Sequence, residues 1–224
     1  MIKFEKTEVF NFEGALRGMR NPLNSWEKGD SFFSYDYVSY DPHEDRYEVV
    51  EIGKNDLDLA QRLIKAGSDH RKFLRQIFVS VDITAPLYWW KEFDTYKVAT
   101  VANSCSTMHT IHKKEFTLED FSHEHLSQVA LSVLNTIIDN LNFSRKAFIG
   151  AFEDLPKGDK DDWWDMIQLL PSSYNQKRTV TLNYETLRNI YKSRKNHKLD
   201  EWSIGFMEWI ESLPYSKELI TDKE

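Results

Sequence analysis

Hydrophobic and polar positions follow a strand-like spacing early in the chain and a mainly helical spacing later. Residues 2–10 alternate weakly, and residues 77–83, IFVSVDI, form an apolar run of strand length, so both predict strands. KRTVTL at 177–182 predicts a further strand. Apolar residues recurring every three or four positions predict helices over residues 12–20, 55–67, 124–152, 163–170, 184–194 and 200–213. This order predicts an α+β fold with a mixed sheet, a long helix and a helical C-terminal half.

Local signals predict where these helices begin and end. Asn11, Asn55 and Asn183 stand at predicted N-caps, and Gly67 is a predicted stop. Thr117 and the residues up to Asp120 have the pattern of a capping box. Apolar faces are expected on the longest helix, formed by Val129, Leu131, Val133, Leu134, Ile137, Ile138 and Leu141, and on the last helix, formed by Trp202, Phe206, Trp209 and Ile210.

Two segments lack a clear helical period. Residues 26–46 mix aromatic with charged side chains and predict a surface excursion, followed by strand-like alternation in YEVVEIG at 47–53. Residues 154–162, DLPKGDKDD, predict a polar acidic loop and form the clearest break in the chain. No internal repeat is apparent in the sequence. We therefore predict a single α+β domain over residues 1–224.

Composition narrows the function classes. The 224 residues are 41% hydrophobic and 14% aromatic, which is ample for a packed core. A net charge of −7 gives no basic footprint, so we expect no duplex nucleic acid partner. The single cysteine forms no internal disulfide, and no apolar run approaches the roughly 20 residues that span a bilayer. We expect a cytoplasmic protein without a membrane partner.

Small polar residues fill the second half of the segment 84–109, after an aromatic-rich stretch, and such a run is typical of a ligand site or a tight connection. Within it, Cys105 is interpreted as a small buried or half-buried thiol rather than as a nucleophile. Four histidines in and after the segment allow a zinc site, but without HExxH or CxxC we interpret them as surface residues and assign no metal: His109, His112, His123 and His125.

Arginines and tryptophans elsewhere leave alternatives open. Arg17 and Arg20 predict either a solvated helix face or an anion-binding edge, since arginine forks match phosphate and carboxylate geometry. The tryptophan pairs at 89–90 and 163–164 predict core or interface anchors, with an aromatic wall for a flavin or a base as the alternative.

Three blocks together resemble the flavin-dependent thymidylate synthases, the ThyX family, most clearly over residues 68–209. In the first block His70 aligns with the flavin-contacting histidine of that family, and Ala85-Pro86 align with its Ala-Pro turn. The second block reads TYKVATVANSCSTM at 95–108, where the family signature is RHRxxSxNExSxR, and the two match when one inserted residue is allowed before Asn103. The third, LLPSSYNQKRTVTLNYETLRNIYKSR at 169–194, is similar to the family's Leu-Pro, strand and helix, with the spacing from Pro171 to Asn183 intact.

The resemblance implies a thymidylate synthase-complementing-protein-like fold, a homotetramer, FAD as cofactor and dUMP as the pyrimidine nucleotide. NADPH and folate are used by the family, and their use by this chain is left open. Flavin contacts are implied for His70, Lys97, Asn103, Asn183 and Asn189. Substrate contacts are implied for Glu92, Ser104, Ser106 and Arg194, with Arg17 and Arg20 as arginines that reach a site at a subunit boundary. No catalytic residue is assigned.

The signature is degenerate at its charged positions. Where the family has arginine, this chain has Thr95, Met108, Ile167 and Glu185, while Lys97 replaces another arginine and Ser104 a glutamate. Losing buried charge-assisted contacts costs about 2–5 kcal/mol each, so we expect weak phosphate binding and little or no thymidylate synthesis. An active enzyme would be a flavin-dependent methyltransferase or oxidoreductase acting on a pyrimidine nucleotide.

Three functional interpretations follow from the degenerate signature. The first is a divergent flavin- or nucleotide-binding relative of the family. The second is a non-catalytic protein of the same fold that acts as an oligomeric or nucleotide-sensing module. The third is an acidic interaction module without a small-molecule site.

Overall fold

A computed structural model describes residues 2–34, 46–47, 49–153 and 158–222 of the chain. Most of the predicted surface excursion and part of the predicted acidic loop lie outside these residues. The chain divides into two compact units, and each is described by itself. Unit 1 comprises residues 84–94 and 104–178, and unit 2 comprises residues 2–83, 95–103 and 179–224. The prediction of one domain over the whole chain stays a prediction.

The main sheet has five strands and is mixed, as predicted. The strands of the described chain are β1 (Lys3–Phe10), β2 (Phe32–Ser34), β3 (Arg46–Tyr47), β4 (Val49–Glu51), β5 (Phe78–Pro86), β6 (Val101–Ser104) and β7 (Asn175–Asn183). The sheet has the order β3-β1-β5-β7-β6, while β2 and β4 form a separate antiparallel pair. β1 runs parallel to β3, with Glu8 opposite Arg46.

Strand β5 lies in the middle of this sheet because its sequence suits burial. Val79, Val81 and Ile83 are fully buried and alternate with half-buried positions, which is the period of a strand. In unit 2, the Tyr184 amide donates to the Ile77 carbonyl at 3.1 Å, and the Thr179 hydroxyl donates to Asp82 at 2.6 Å. These pairings make β5 and β7 antiparallel, so the predicted apolar run is a central strand that extends three residues further, to Pro86.

Helices occupy most of the remaining chain, and the α+β assignment is confirmed. The α-helices are α1 (Phe12–Arg20), α2 (Lys54–Ala66), α3 (Leu87–Phe93), α4 (Thr107–Thr110), α5 (Gln128–Ile149), α6 (Lys160–Gln168), α7 (Tyr184–Arg194) and α8 (Met207–Ser212). The described chain also has six 3₁₀ or π segments: Asn21–Leu23, Trp26–Lys28, Lys72–Gln76, Leu118–Asp120, Glu201–Phe206 and Lys217–Thr221. No helix in the described part of the chain combines the length and the apolar character needed to cross a membrane.

The predicted last helix is two helical forms in series. Residues 201–206 form a π-helical turn that continues into α8, and the predicted stripe of Trp202, Phe206, Trp209 and Ile210 is buried. Gly205 in this turn permits close packing, since a Cβ there would come within 2.4 Å of Ile2. The apolar period predicted the buried face, but not the wider turn.

Two of the three predicted asparagine caps are wrong in detail. Asn11 precedes α1 as expected, yet its side-chain amide donates to the Gln76 carbonyl at 2.8 Å and does not cap the helix. Asn55 lies inside α2, whose first amides are instead capped by the Asp30 carboxylate, which accepts from Asn55 and Asp56 at 2.9 and 3.1 Å. A carboxylate 25 or more residues away supplies the cap, which a local signal does not reveal. The stop at Gly67 is confirmed.

A buried ion pair joins α1 to α2 in unit 2. The Arg20 Nε donates to the Asp56 carboxylate at 2.6 Å, and the two residues are only 4% and 3% exposed. Arg20 also donates to the carbonyls of Ser25 and Lys28, while the Ser31 hydroxyl donates to Asp56. The expectation that this arginine is solvated is therefore wrong, because Asp56 draws its side chain inward. Arg17 is exposed, as expected.

Unit 1 is organised around α5, which is shorter than the predicted 124–152. Its first turn is set by Ser127, whose hydroxyl accepts from the Ala130 amide at 3.3 Å, and its end by Gly150 in the left-handed region. The capping box at Thr117–Asp120 is confirmed, around a short 3₁₀ turn. The buried core of the unit consists of Ile111, Phe116, Phe121, Leu134, Ile138, Leu141 and Met166.

Part of the predicted apolar face of α5 is not covered. Val129 and Val133 are 76% and 55% exposed, whereas Leu134 and Leu141 are buried. The apolar face is wider than the surface that unit 1 packs against it.

The two tryptophan pairs differ in burial. Trp89 and Trp90 are buried in unit 1, and the Trp90 indole donates to the Gln176 carbonyl at 3.0 Å. Of the two predicted alternatives, core or interface anchor, the first holds for this pair, because both rings pack inside the unit. Trp164 is 39% exposed, and Trp163 is half-buried beside it.

Candidate functional site

Helix α7 in unit 2 carries three of the predicted ligand-contacting residues. Asn183 is buried, and its side-chain carbonyl accepts from the Thr186 amide at 3.0 Å, so it serves as the N-cap that the sequence predicted. Asn189 is exposed one and a half turns further on, and Arg194 ends the helix. The cap orients the start of the helix, and the side chain of Asn189 is exposed on the surface of the helix.

Arg194 is held in place by aromatic side chains. Its Nε donates to the Tyr96 hydroxyl at 2.8 Å, and its guanidinium carbon lies 5.6 Å from the Tyr96 ring centre and 5.0 Å from that of Trp202. Stacking and a hydrogen bond restrict a side chain that otherwise has many rotamers. The guanidinium is therefore oriented before any ligand arrives.

The segment 95–103 is fixed against α7 by two contacts. Besides the bond from Arg194 to Tyr96, the Thr186 hydroxyl donates to the Val98 carbonyl at 3.3 Å. Lys97, between these two anchors, is exposed, and so is Asn103 in β6. The structure thus brings predicted flavin contacts on two distant stretches of sequence onto neighbouring parts of unit 2.

This segment shows two features that are common where ligands bind. Ala99 has a φ of 56°, in the left-handed region that non-glycine residues adopt at a cost of about 1–2 kcal/mol. The hydroxyl of Thr100, which occupies the place of the signature serine, is buried without a hydrogen-bond partner among the described residues. Buried polar atoms are nearly always paired, so a ligand atom or water is expected at Thr100.

Arg71 and Glu185 form an ion pair at the edge of the same region. The Arg71 Nε lies 2.8 Å from one carboxylate oxygen and 3.2 Å from the other, and both side chains are largely buried. His70, next to Arg71, is exposed. Glu185 stands where the resemblance expects an arginine, so the positive charge expected there is replaced by an internally neutralised pair.

The sequence interpretation missed Arg71 and Tyr96, the partners of Glu185 and Arg194. A signal for the first was present, since a carboxylate in place of an expected arginine calls for a nearby cation. No local signal pointed to Tyr96, which lies 98 positions before Arg194.

The arginines of α1 lie in unit 2 as well. The Arg20 guanidinium is engaged by Asp56 and two carbonyls, as described above. The side chain of Arg17 is 67% exposed and reaches Glu13 at 3.8 Å. Of the two arginines, Arg17 is the one whose position leaves its guanidinium accessible.

Three predicted substrate contacts fall in unit 1. Glu92 is half-buried on α3, Ser104 is exposed at the end of β6, and Ser106 caps α4 by accepting from the His109 amide at 3.1 Å. Cys105, between the serines, is exposed rather than buried, because its backbone amide pairs with the Lys177 carbonyl while its side chain faces outward. The expectation of a buried or half-buried thiol is wrong.

Histidines in unit 1 take part in local contacts. His112 packs edge-on against Phe148 with ring centres 5.1 Å apart, and His123 Nδ1 lies 2.8 Å from the Phe121 carbonyl oxygen. Across the described residues, no group of three or more histidine, cysteine or acidic side chains is arranged to hold a metal ion.

Comparison with solved structures assigns the fold to a known class, that of the ThyX thymidylate synthases. A crystal structure of ThyX from Helicobacter pylori with FAD and dUMP matches with a TM-score of 0.63 and 15% identity over 97% of this chain and 98% of that chain. A second structure of flavin-dependent ThyX from the same organism, complexed with FAD and dUMP, matches with a TM-score of 0.62 and 16% identity over 96% and 95% of the chains.

The fold predicted from the three sequence blocks is thereby confirmed. No protein-family model matches the sequence, and no curated protein matches it. At 15–16% identity the likeness is one of architecture.

Proposed function

We propose that this protein is a divergent relative of flavin-dependent thymidylate synthase that binds a flavin and a dUMP-like nucleotide and makes little or no thymidylate. The observation that carries the proposal is the pairing of two facts. The fold of the chain is that of proteins solved with FAD and dUMP, and the Thr100 hydroxyl of unit 2, at a signature position, is buried without a partner among the described residues. Positive charge is supplied by Lys97 in the same segment and by Arg194, which donates to Tyr96 of that segment.

In the proposal, the flavin is held by His70, Lys97, Asn103, Asn183 and Asn189. The exposed side chains among them offer a cation and amide groups, which suit the phosphates and ring edge of a flavin. A bound flavin would supply the redox chemistry, and the chain would supply binding and orientation. Asn183 acts by fixing the helix start, since its amide is used as the cap.

The nucleotide is assigned to Arg194, Glu92, Ser104, Ser106, Arg17 and Arg20. Among these, Arg194 contributes a guanidinium that packs against aromatic rings, and Arg17 contributes an exposed cation. Arg20 contributes indirectly, by holding α1 in place through Asp56. We propose a homotetramer, since the resemblance places family sites at subunit boundaries.

The second candidate function is a non-catalytic nucleotide-sensing protein of the same fold. The Arg71–Glu185 pair favours it, because the pair neutralises a position at which the resemblance expects an arginine that binds anions. Without that charge, we expect the protein still to bind its ligand but no longer to place the phosphate as precisely as catalysis requires.

The first test is direct binding. The purified protein is expected to be yellow, with flavin absorbance at about 450 nm, and to bind dUMP in equilibrium dialysis. Arg194→Ala is expected to weaken dUMP binding about tenfold or more, because a charge-assisted contact is lost. Arg62→Ala, which removes an exposed arginine on α2, is the matched control and is expected to leave the affinity unchanged.

If the protein is colourless and binds neither added FAD nor dUMP, the proposal is overturned and the interpretation as an interaction module remains. Binding without rescue of a thymidine auxotroph supports it, and rescue to normal growth contradicts the proposed loss of thymidylate synthesis. Light scattering on the same sample reports the mass and tests the homotetramer.

A charge swap tests the meaning of the Arg71–Glu185 pair. Glu185→Arg alone is expected to destabilise unit 2, since it places two cations together in a largely buried setting. The double variant Arg71→Glu, Glu185→Arg keeps an ion pair and puts arginine at 185. We expect the double variant to recover stability in urea melts and to bind FAD several-fold more tightly than the parent. Recovered stability with weaker FAD binding would show that Arg71, rather than position 185, serves the flavin.

A further inference from the structure

A cavity of about 820 Å³ opens between the end of α2, the turn at 67–71, α7 and the C-terminal π segment, all within unit 2. Small-molecule sites in proteins have volumes of roughly 300–1,000 Å³, so it is large enough for a metabolite. Its lining is mainly polar and includes Lys65, Arg71, Arg188, Lys192, Lys217 and Asp222.

The lining is positive on a protein that is negative overall. Five of its side chains are cationic and two are acidic, and the lining remains positive although Glu185 neutralises Arg71, whereas the whole chain has a net charge of −7. Lys65 and Lys217 are exposed, and they lie far apart in the sequence. Cations gathered on a concave surface attract anions more strongly than the same cations spread over a convex one.

Arg188 supplies a buried charge at the wall of this cavity. It is 3% exposed, and its terminal nitrogens donate to the Ile220 carbonyl at 2.9 Å and to the Asp222 carboxylate. Its Nε is buried without a hydrogen-bond partner among the described residues. A buried guanidinium donor with no partner marks a place where a further acceptor is expected.

The Asp222 carboxylate neutralises part of the positive charge of the cavity lining. Its carboxylate pairs with Arg188 and lies 3.4 Å from Lys192. Burial raises the pKa of Asp222, but the hydrogen bond and charge of Arg188, together with Lys192, lower it more, so the pKa lies below its ordinary value. The carboxylate is therefore charged at neutral pH and occupies a position that suits an anionic ligand group.

The geometry points to a second ligand site, which binds a phosphorylated small molecule carrying two or more negative charges. None of the residues assigned to the flavin or the nucleotide lines this cavity, so the inference does not depend on the proposed function. Lys65 and Lys217 would contact the phosphates, and Arg188 would contribute the buried charge. Asp222 would act as a competing internal anion.

Calorimetric titration with inorganic pyrophosphate tests the inference. We expect saturable binding to the wild-type protein, weakened about tenfold or more in Lys65→Glu/Lys217→Glu. Lys54→Glu is the matched control, since Lys54 is an exposed lysine on α2 outside the cavity, and it is expected to bind like the wild type. Binding that is lost in Arg194→Ala but kept in Lys65→Glu/Lys217→Glu would assign pyrophosphate to the nucleotide site and overturn the inference.

Asp222→Asn is expected to strengthen pyrophosphate binding rather than weaken it. Removing the competing carboxylate frees Arg188 and Lys192, so pyrophosphate is expected to bind several-fold more tightly. Absence of binding to the wild-type protein overturns the inference, as does an equal loss in the Lys54 and the double-lysine variants. Citrate binding as tightly as pyrophosphate overturns the assignment to phosphate, and circular dichroism confirms that each variant is folded.

Discussion

Arg20→Ala is expected to lower the free energy of unfolding by about 3–5 kcal/mol, because it leaves the Asp56 carboxylate buried without its counter-ion. Both side chains are almost fully buried, and their atoms are 2.6 Å apart. The loss also removes the arginine bonds to the Ser25 and Lys28 carbonyls, which fix the chain after α1. Urea denaturation of the variant and the wild type measures the difference.

Arg17→Ala is the matched control, one turn earlier on the same helix. Its side chain is 67% exposed and its ion pair with Glu13 is 3.8 Å long, so its loss is expected to cost less than about 0.5 kcal/mol. Equal losses in the two variants would contradict the structural role assigned to Arg20.

The pH dependence separates a lost ion pair from lost packing. Burial raises the pKa of Asp56. Hydrogen bonds from Ser31, from Arg20 and from the Asp30 backbone, together with the positive charge of Arg20, lower this pKa more, so it lies below 3.8. A lowered pKa contributes stability that is present above the unfolded-state value and is lost as the pH falls through the folded-state value. Without Arg20 the pKa is lowered less, so the difference between Arg20→Ala and the wild type is expected to shrink as the pH falls below about 4. A difference that is independent of pH would indicate lost packing alone.

Trp90→Ala is expected to lower the stability of unit 1 by about 3–5 kcal/mol, the usual cost of removing a large buried ring. The indole is 1% exposed, donates to the Gln176 carbonyl at 3.0 Å, and stacks under the Arg178 guanidinium, whose carbon lies 4.2 Å from the ring centre. Trp90→Phe is expected to cost about 1–3 kcal/mol, since it keeps an aromatic ring but leaves the carbonyl unpaired.

Trp164→Ala provides the comparison within the same unit. This ring is 39% exposed, and its loss is expected to cost less than about 1 kcal/mol. Thermal melts and urea titrations of the three variants give the order of stability. The assignment of Trp90 to the core fails if Trp90→Ala matches Trp164→Ala in stability and instead changes the oligomeric mass.

Much of the fold follows from short stretches of sequence. The apolar run in β5, the cap at Asn183 and the capping box at Thr117–Asp120 each depend on residues within a few positions of one another. The stop at Gly67 depends on the left-handed backbone of a single residue, with a φ of 111°. Such signals are local hydrogen bonds and side-chain periods, which a strand or helix satisfies by itself.

The cap of α2 and the pair buried between α1 and α2 required the tertiary structure. Asp30 caps α2 from 25 positions away, and Arg20 reaches Asp56 across 36 positions. From the sequence, Asn55 was the predicted cap of α2, and a solvated helix face was one of the two predictions for Arg20. Both predictions agree with the local sequence signals. Only the packing of α1 on α2 removes water from the arginine and makes a carboxylate partner necessary.

For the site, the sequence by itself determined which polar residues stand at the signature positions and how far apart they lie along the chain. It also showed that most of the arginines expected there have been replaced. The tertiary structure decided which remaining charges are available. Arg71 is neutralised by Glu185 across 114 positions, while Arg194 is braced by Tyr96 across 98. The physical reason is that the pairing of a charge depends on which partner folding brings within a few ångströms of it, and sequence distance does not set that separation.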